Sequence, residues 1–286
     1  MSYSTKTLNA ESICKEIRCK QSQPIHPVRF MKLISTWIFM FLAILVTGIK
    51  AQVNVSGALT GNGSHATLSA AAVAIGTSQS GAAIQITITG NTTEPATGAV
   101  FGAGNWTSIS IQPSGGAFKI EGAVNAGLPL IDFNGADNIT IDGLNSGGNS
   151  LTISNTTVSS TSGTSTIRFQ GDATNNTIIR CSILGSSTMA TGTNGGNIWF
   201  GAAAVSTGND GNTISTCNIG PAGSNLPSKC IYFSGSSNTN PGTANSGISI
   251  FNNNIFDYFS ATANSSGIDL NSGTTNISIT SNRFYQ

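Results

Sequence analysis

One short apolar repeat constrains this chain more than any other feature. From Leu130 to Gln286, an Ile-x-Phe or Ile-x-Leu element alternates with a longer Ile-x-x-(Cys/Asn)-x-(Ile/Phe) element. The short element stands at Ile131–Phe133, Ile167–Phe169, Ile198–Phe200, Ile231–Phe233 and Ile268–Leu270. The longer one stands at Ile178–Cys181–Ile183, Ile214–Cys217–Ile219, Ile250–Asn253–Ile255 and Ile279–Asn282–Phe284, with a looser copy at Ile139–Asp142–Leu144. Self-similarity at roughly 30–40 residues marks a stack of coils, each of which buries its apolar face only against its neighbours.

The offsets carry geometry. In Ile-x-Phe the two apolar side chains share one face and the middle residue faces out, because strand side chains alternate. In Ile-x-x-Asn-x-Ile the alternation breaks once, as a bend between two strands requires. The Asn is expected at that bend, where its amide bonds backbone groups and tolerates unusual dihedrals. Stacked about 4.8 Å apart, Cys181, Cys217, Asn253 and Asn282 would form a structural ladder of small buried side chains.

Composition agrees with a polar, loop-rich β-protein. Charged residues make up 8% of the chain, against about 25% in ordinary globular proteins. The regularly placed Ile argues against disorder. Beyond Ala51 the five cations Lys119, Arg168, Arg180, Lys229 and Arg283 face nine anions, a balance of −4. Such a surface has no basic patch to neutralise phosphates, which speaks against nucleic acid as a partner.

The N-terminus reads as an address. Trp37–Val46 is an unbroken apolar run, preceded by Met31-Lys32 and followed by Gly48-Ile49-Lys50-Ala51. A basic start, a run of this length and a small residue at the cut describe a secretory signal over 31–51, with Gln52 as the first mature residue. The run is too short for a stable membrane span, which needs about 20 residues. Residues 1–30 are expected to be a non-native upstream extension, with translation starting at Met31. Residues 52–126 are expected to hold a leader, a capping helix and irregular first coils, and 127–286 the regular coils. Within the former, 53–64 reads as a loose leader and His65–Gly76 as an Ala-rich helix ending at Gly. Ile84–Ile88, Trp106–Ile111 and Phe118–Ile120 read as strands.

The repeat resembles that of right-handed parallel β-helix proteins, the pectin-lyase-like superfamily. GIDLNSGTTNISITSNRF and STIRFQGDATNNTIIRCSI resemble its pattern, in which a GI-x-L strand precedes N-x-I-x-x-N-x-I. LIDFNGADNITIDGLN, GNTISTCNIGPAG and NNNIFDYFSA resemble large secreted surface proteins of Bacteroidetes-type bacteria. The resemblance implies an all-β, right-handed parallel β-helix with a short N-terminal capping helix, on a secreted or cell-surface protein. The sequence stops at Arg283-Phe284-Tyr285-Gln286, directly after a repeat's last strand, so a truncated C-terminus is expected.

Superfamily members include polysaccharide lyases and glycoside hydrolases, and hydrolysis uses two carboxyls roughly 5–9.5 Å apart. The outward row of the Ile-x-Phe strands reads Asp132, Arg168, Trp199, Tyr232 and Asp269. Its two acids lie at least four coils apart, on the order of 19 Å at about 4.8 Å per coil. Arg168 with Asp172 is the nearest approach to a lyase-like site. His65 is the only His after the signal, which removes His-based triads and most zinc sites. Asn209-Asp210-Gly211-Asn212 reads as a turn rather than a calcium loop. No catalytic residue, metal or cofactor is therefore assigned. The leading expectation is a structural or adhesive module. The alternative is a carbohydrate-binding row of Arg168, Trp199, Tyr232 and Asp269, whose aromatics, taken as exposed, would stack on a polysaccharide or cell-surface glycan. A polysaccharide lyase or glycoside hydrolase is the third reading.

Overall fold

The repeat folds as its periodicity requires. A computed structural model describes residues 51–202, 207–236 and 241–286. The expected signal and upstream extension lie outside the described residues, apart from Ala51. The long loops at Gly201–Gly211 and Ser234–Gly247 are described only in part.

Each coil contributes one strand to each of three sheets. The third sheet, six-stranded, stacks Ala99–Gly102, Pro129–Asn134, Ser165–Gln170, Gly196–Phe200, Lys229–Phe233 and Ser266–Leu270 in parallel. The chain then enters the first sheet, nine-stranded, where Ala83–Ile88, Ser108–Pro113, Ile139–Asp142, Thr177–Ile179, Thr213–Ser215, Ser249–Phe251 and Ser278–Thr280 run in parallel. It continues into the second sheet, seven-stranded, from Thr92–Thr93 through Ser182–Gly185 to Arg283–Tyr285. The result is an all-β parallel solenoid with one α-helix among the described residues.

Register follows the apolar pattern without slippage. Ile131, Ile167, Ile198, Ile231 and Ile268 stand opposite one another across the third sheet. Phe101, Phe133, Phe169, Phe200 and Phe233 form a second file beside them, and the last two ring pairs stack with centroids 4.5 Å apart. Each fully buried ring of this kind contributes roughly 1.5–3 kcal/mol. A one-residue slip would turn both files outward, so the pattern fixes the stack.

The bend between the first and second sheets takes two residues in four coils: Arg180-Cys181, Thr216-Cys217, Asn252-Asn253 and Ser281-Asn282. The left-handed dihedral falls one residue earlier than expected. Arg180, Thr216, Asn252 and Ser281 have φ of 55–57°, and the residue that follows is buried in the first three, Cys181, Cys217 and Asn253. One left-handed residue reverses the strand's phase, which is why Ile178, Cys181 and Ile183 all face inward.

The N-terminal end is more ordered than a loose leader. Val53–Ser56 pairs antiparallel with both Gly63–His65 and Ala83–Ile88, closing the first sheet with a short polar edge. The helix α1 is shorter than expected, Leu68–Ile75. It buries Leu68, Ala71, Ala72 and Ile75 against the start of the stack. Thr67 caps it by accepting from the Ala70 N–H at 3.0 Å, and Gly76 ends it at φ 61°. Glu94, from the first coil, accepts from the Leu68 and Ser69 N–H groups at 2.9 and 2.8 Å. A carboxylate there satisfies orphan donors and opposes the positive end of the helix.

Candidate functional site

The outward row of the third sheet assembles from consecutive coils, because parallel in-register pairing sets Asp132 beside Arg168, Arg168 beside Trp199, Trp199 beside Tyr232 and Tyr232 beside Asp269. The row is not the open aromatic face that the sequence suggests. Tyr232 is 1% exposed and Trp199 8%. The Arg168 guanidinium carbon lies 5.5 Å from the Trp199 ring centroid, and the Lys229 ammonium lies 3.8 Å from that of Tyr232. Trp199 Nε1 donates to Ser234 Oγ at 2.7 Å, and Tyr232 Oη accepts from Asn271 Nδ2 at 3.1 Å.

Each charged side chain of the row has an ionic partner, Arg168 with Asp132 and Asp269 with Lys229. Arg168 donates through Nε and Nη2 to the two Asp132 oxygens at 2.9 and 2.7 Å, a bidentate bridge with both partners largely buried. Its partner is therefore Asp132, not Asp172, which instead accepts from the Gly208 N–H at 3.1 Å. Lys229 occupies a place that sequence reasoning left unassigned. Its ammonium donates to the Thr193 carbonyl at 3.0 Å and lies 3.9 Å from Asp269. Burial lowers the Lys229 pKa from its ordinary value, and the Asp269 charge offsets part of that shift.

A second ion pair lies on the bend. Arg180 donates through Nε to Asp142 at 2.9 Å, and that hydrogen bond raises the Arg180 pKa. Asp137 accepts from the Thr174 N–H at 2.7 Å, and Asp210 accepts from the Ser246 N–H at 2.8 Å. Lys119 and Glu121 form a further, exposed pair. Among the described residues, no three His, Cys, Asp or Glu side chains are placed to hold a metal ion.

Inside the solenoid, the bend slot is a file of hydrogen bonds. Asn282 Oδ1 accepts from the Asn253 N–H at 3.0 Å, and Asn253 Oδ1 accepts from the Cys217 N–H at 2.9 Å. Each amide also donates to the coil before it, Asn282 to Ile250 O at 2.8 Å and Asn253 to Ile214 O at 2.9 Å. Two further amide files were missed in the sequence. Asn176 and Asn212 lie two residues before Ile178 and Ile214, and Asn176 accepts from the Ile139 N–H while Asn212 accepts from that of Asn176. Asn209 and Asn245 form the other file, joined Nδ2 to Oδ1 at 2.8 Å. The first Asn of N-x-Ile was the available signal. Asn209 and Asn212, in the stretch expected to be a turn, are fully buried.

No protein-family model matches the chain, and no match was found among curated proteins or solved structures.

Proposed function

We propose that this solenoid is a structural and adhesive module of an exported, cell-surface protein. The observation that carries the reading is how the stack uses its own charged groups. Asp132 and Asp142 are bound by arginines, Asp269 lies beside Lys229, Glu94 caps α1, and Asp137 and Asp210 hold backbone N–H groups of the next coil. Carboxylates used in this way hold coils together. The export part rests on the basic start, apolar run and small residue over 31–51, and the resemblance of LIDFNGADNITIDGLN, GNTISTCNIGPAG and NNNIFDYFSA to large secreted surface proteins points the same way. Purified chain incubated with pectate, xylan and chitin should release no new reducing ends and no unsaturated uronate absorbance. Turnover on any of them would overturn the reading in favour of a polysaccharide lyase or hydrolase.

The second reading, contact with a glycan through Arg168, Trp199, Tyr232 and Asp269, is favoured by their adjacency on consecutive coils. Against it, cations already lie over both ring faces. Trp199→Ala combined with Tyr232→Ala should lower the melting temperature and leave glycan-array binding unchanged. Binding lost from a variant that still folds would transfer the proposal to this row.

A further inference from the structure

Cys181 and Cys217 occupy the same bend slot on consecutive coils, and they are where the amide file stops. The strands before the bend pair Ile178 with Ile214 and Ile179 with Ser215, and those after it pair Ser182 with Asn218. Backbone hydrogen bonds close on both sides of the slot, from Arg180 N–H to Ser215 O at 3.2 Å and from Asn218 N–H to Cys181 O at 2.9 Å. Two Cα atoms so held are separated by about the 4.8 Å spacing of paired strands. Disulfides span Cα separations of roughly 4.4–6.8 Å. Both thiols are buried and free, and both sulfurs face the core.

The hydrogen bonding shows how the pair differs from the slots above it. Cys217 Sγ lies 3.2 Å from Ser215 O of its own coil and 3.7 Å from Ile178 O, the position in the preceding coil that Asn253 and Asn282 reach with their amides in theirs. A thiol can replace that donor. Its sulfur is only a weak acceptor in place of the Oδ1 that receives the Cys217 and Asn253 N–H groups. The neighbouring Cys217 thiol, and then burial, raise the Cys181 pKa. Cys230 stands apart in another slot, beside Ile219 O.

We infer that Cys181 and Cys217 are a redox pair that closes into a disulfide joining consecutive coils. The chemistry balances with a small disulfide as oxidant. Two thiols and one oxidised glutathione give the protein disulfide and two reduced glutathiones, through a mixed disulfide that the second cysteine resolves. Burial keeps both sulfurs out of reach of a soluble oxidant in the folded chain. Closure therefore belongs to folding, when the second and third regular coils dock in the presence of an oxidant.

The test is to refold the full chain carrying Cys14→Ser and Cys19→Ser, which leaves Cys181, Cys217 and Cys230 of its five cysteines, with and without a glutathione redox buffer, then count thiols after denaturation and map non-reduced peptides. The oxidised product should lose two titratable thiols and 2 Da in mass, as expected for one disulfide. Its cross-linked peptides should join Cys181 to Cys217. Its melting temperature should exceed that of the reduced chain by about 5–10 °C. Cys217→Asn, which places in this coil the residue used at Asn253, should fold and keep all its thiols in the same buffer. Full thiol content in the oxidised, refolded chain, or cross-links that involve Cys230 instead, would overturn the assignment.

Discussion

Thr216 is a β-branched residue held at φ 55°, where the branched side chain crowds its own backbone. The equivalent bend in the next coil uses Asn252 at φ 57°. Thr216→Asn should therefore raise the unfolding free energy by about 1 kcal/mol, measured by urea denaturation. The buried thiols add a pH dependence of known sign. Burial raises the Cys230 pKa, and the Cys217 contact together with burial raises that of Cys181. A raised folded pKa gives stability that is complete below the ordinary thiol value and is lost as pH rises from there toward the folded value. In the reduced chain, above about pH 9, unfolding should become easier by about 1.4 kcal/mol per pH unit for each thiol. Cys230→Ala should flatten that slope in alkaline melts. Lys229 acts in the opposite sense, because its lowered pKa costs stability at neutral pH that is recovered as the group deprotonates. At this scale the Ile, Phe and bend-slot residues were legible, since each repeats at a fixed offset. The left-handed position was not, because Arg, Thr, Asn and Ser share no side-chain chemistry that marks it.

The elements that escaped the sequence have definite causes. Ala99–Gly102 is the first strand of the third sheet, yet Ala99 stands where later coils have Ile, so the repeat is not visible there. Ser150–Asn155 alternates Leu151 and Ile153 correctly, but Gly143–Asn149 intervenes where later coils turn in two residues. Gly143 itself is confined, since a Cβ there would meet Arg180 O at 2.1 Å. Burial of Trp199 and Tyr232 was equally hidden, because it depends on Lys229 reaching Thr193 and on Arg168 turning toward Asp132. Those contacts join residues about one coil apart and leave no local pattern. Helix α1 is the element most dependent on a distant residue. Glu94→Gln removes the charge facing Leu68 and Ser69 N–H and should cost about 1–2 kcal/mol, read as a lower denaturation midpoint with the parallel sheets intact.

For the solenoid as a whole, the inter-strand hydrogen bonds of all three sheets point along the stacking direction, since strand pairing joins each coil to the next. Tension between the two ends of the described solenoid therefore acts on one coil boundary at a time rather than on all strands in shear. Register-equivalent isoleucines in the third sheet are 31–37 residues apart. Each released coil should then lengthen the chain by about 11–13 nm, and single-molecule pulling should show a series of such steps in place of one rupture. A disulfide between Cys181 and Cys217 would withhold one coil's length from that series. A tether made this way yields in graded increments of slack, and it keeps its remaining coils after the first ones have let go.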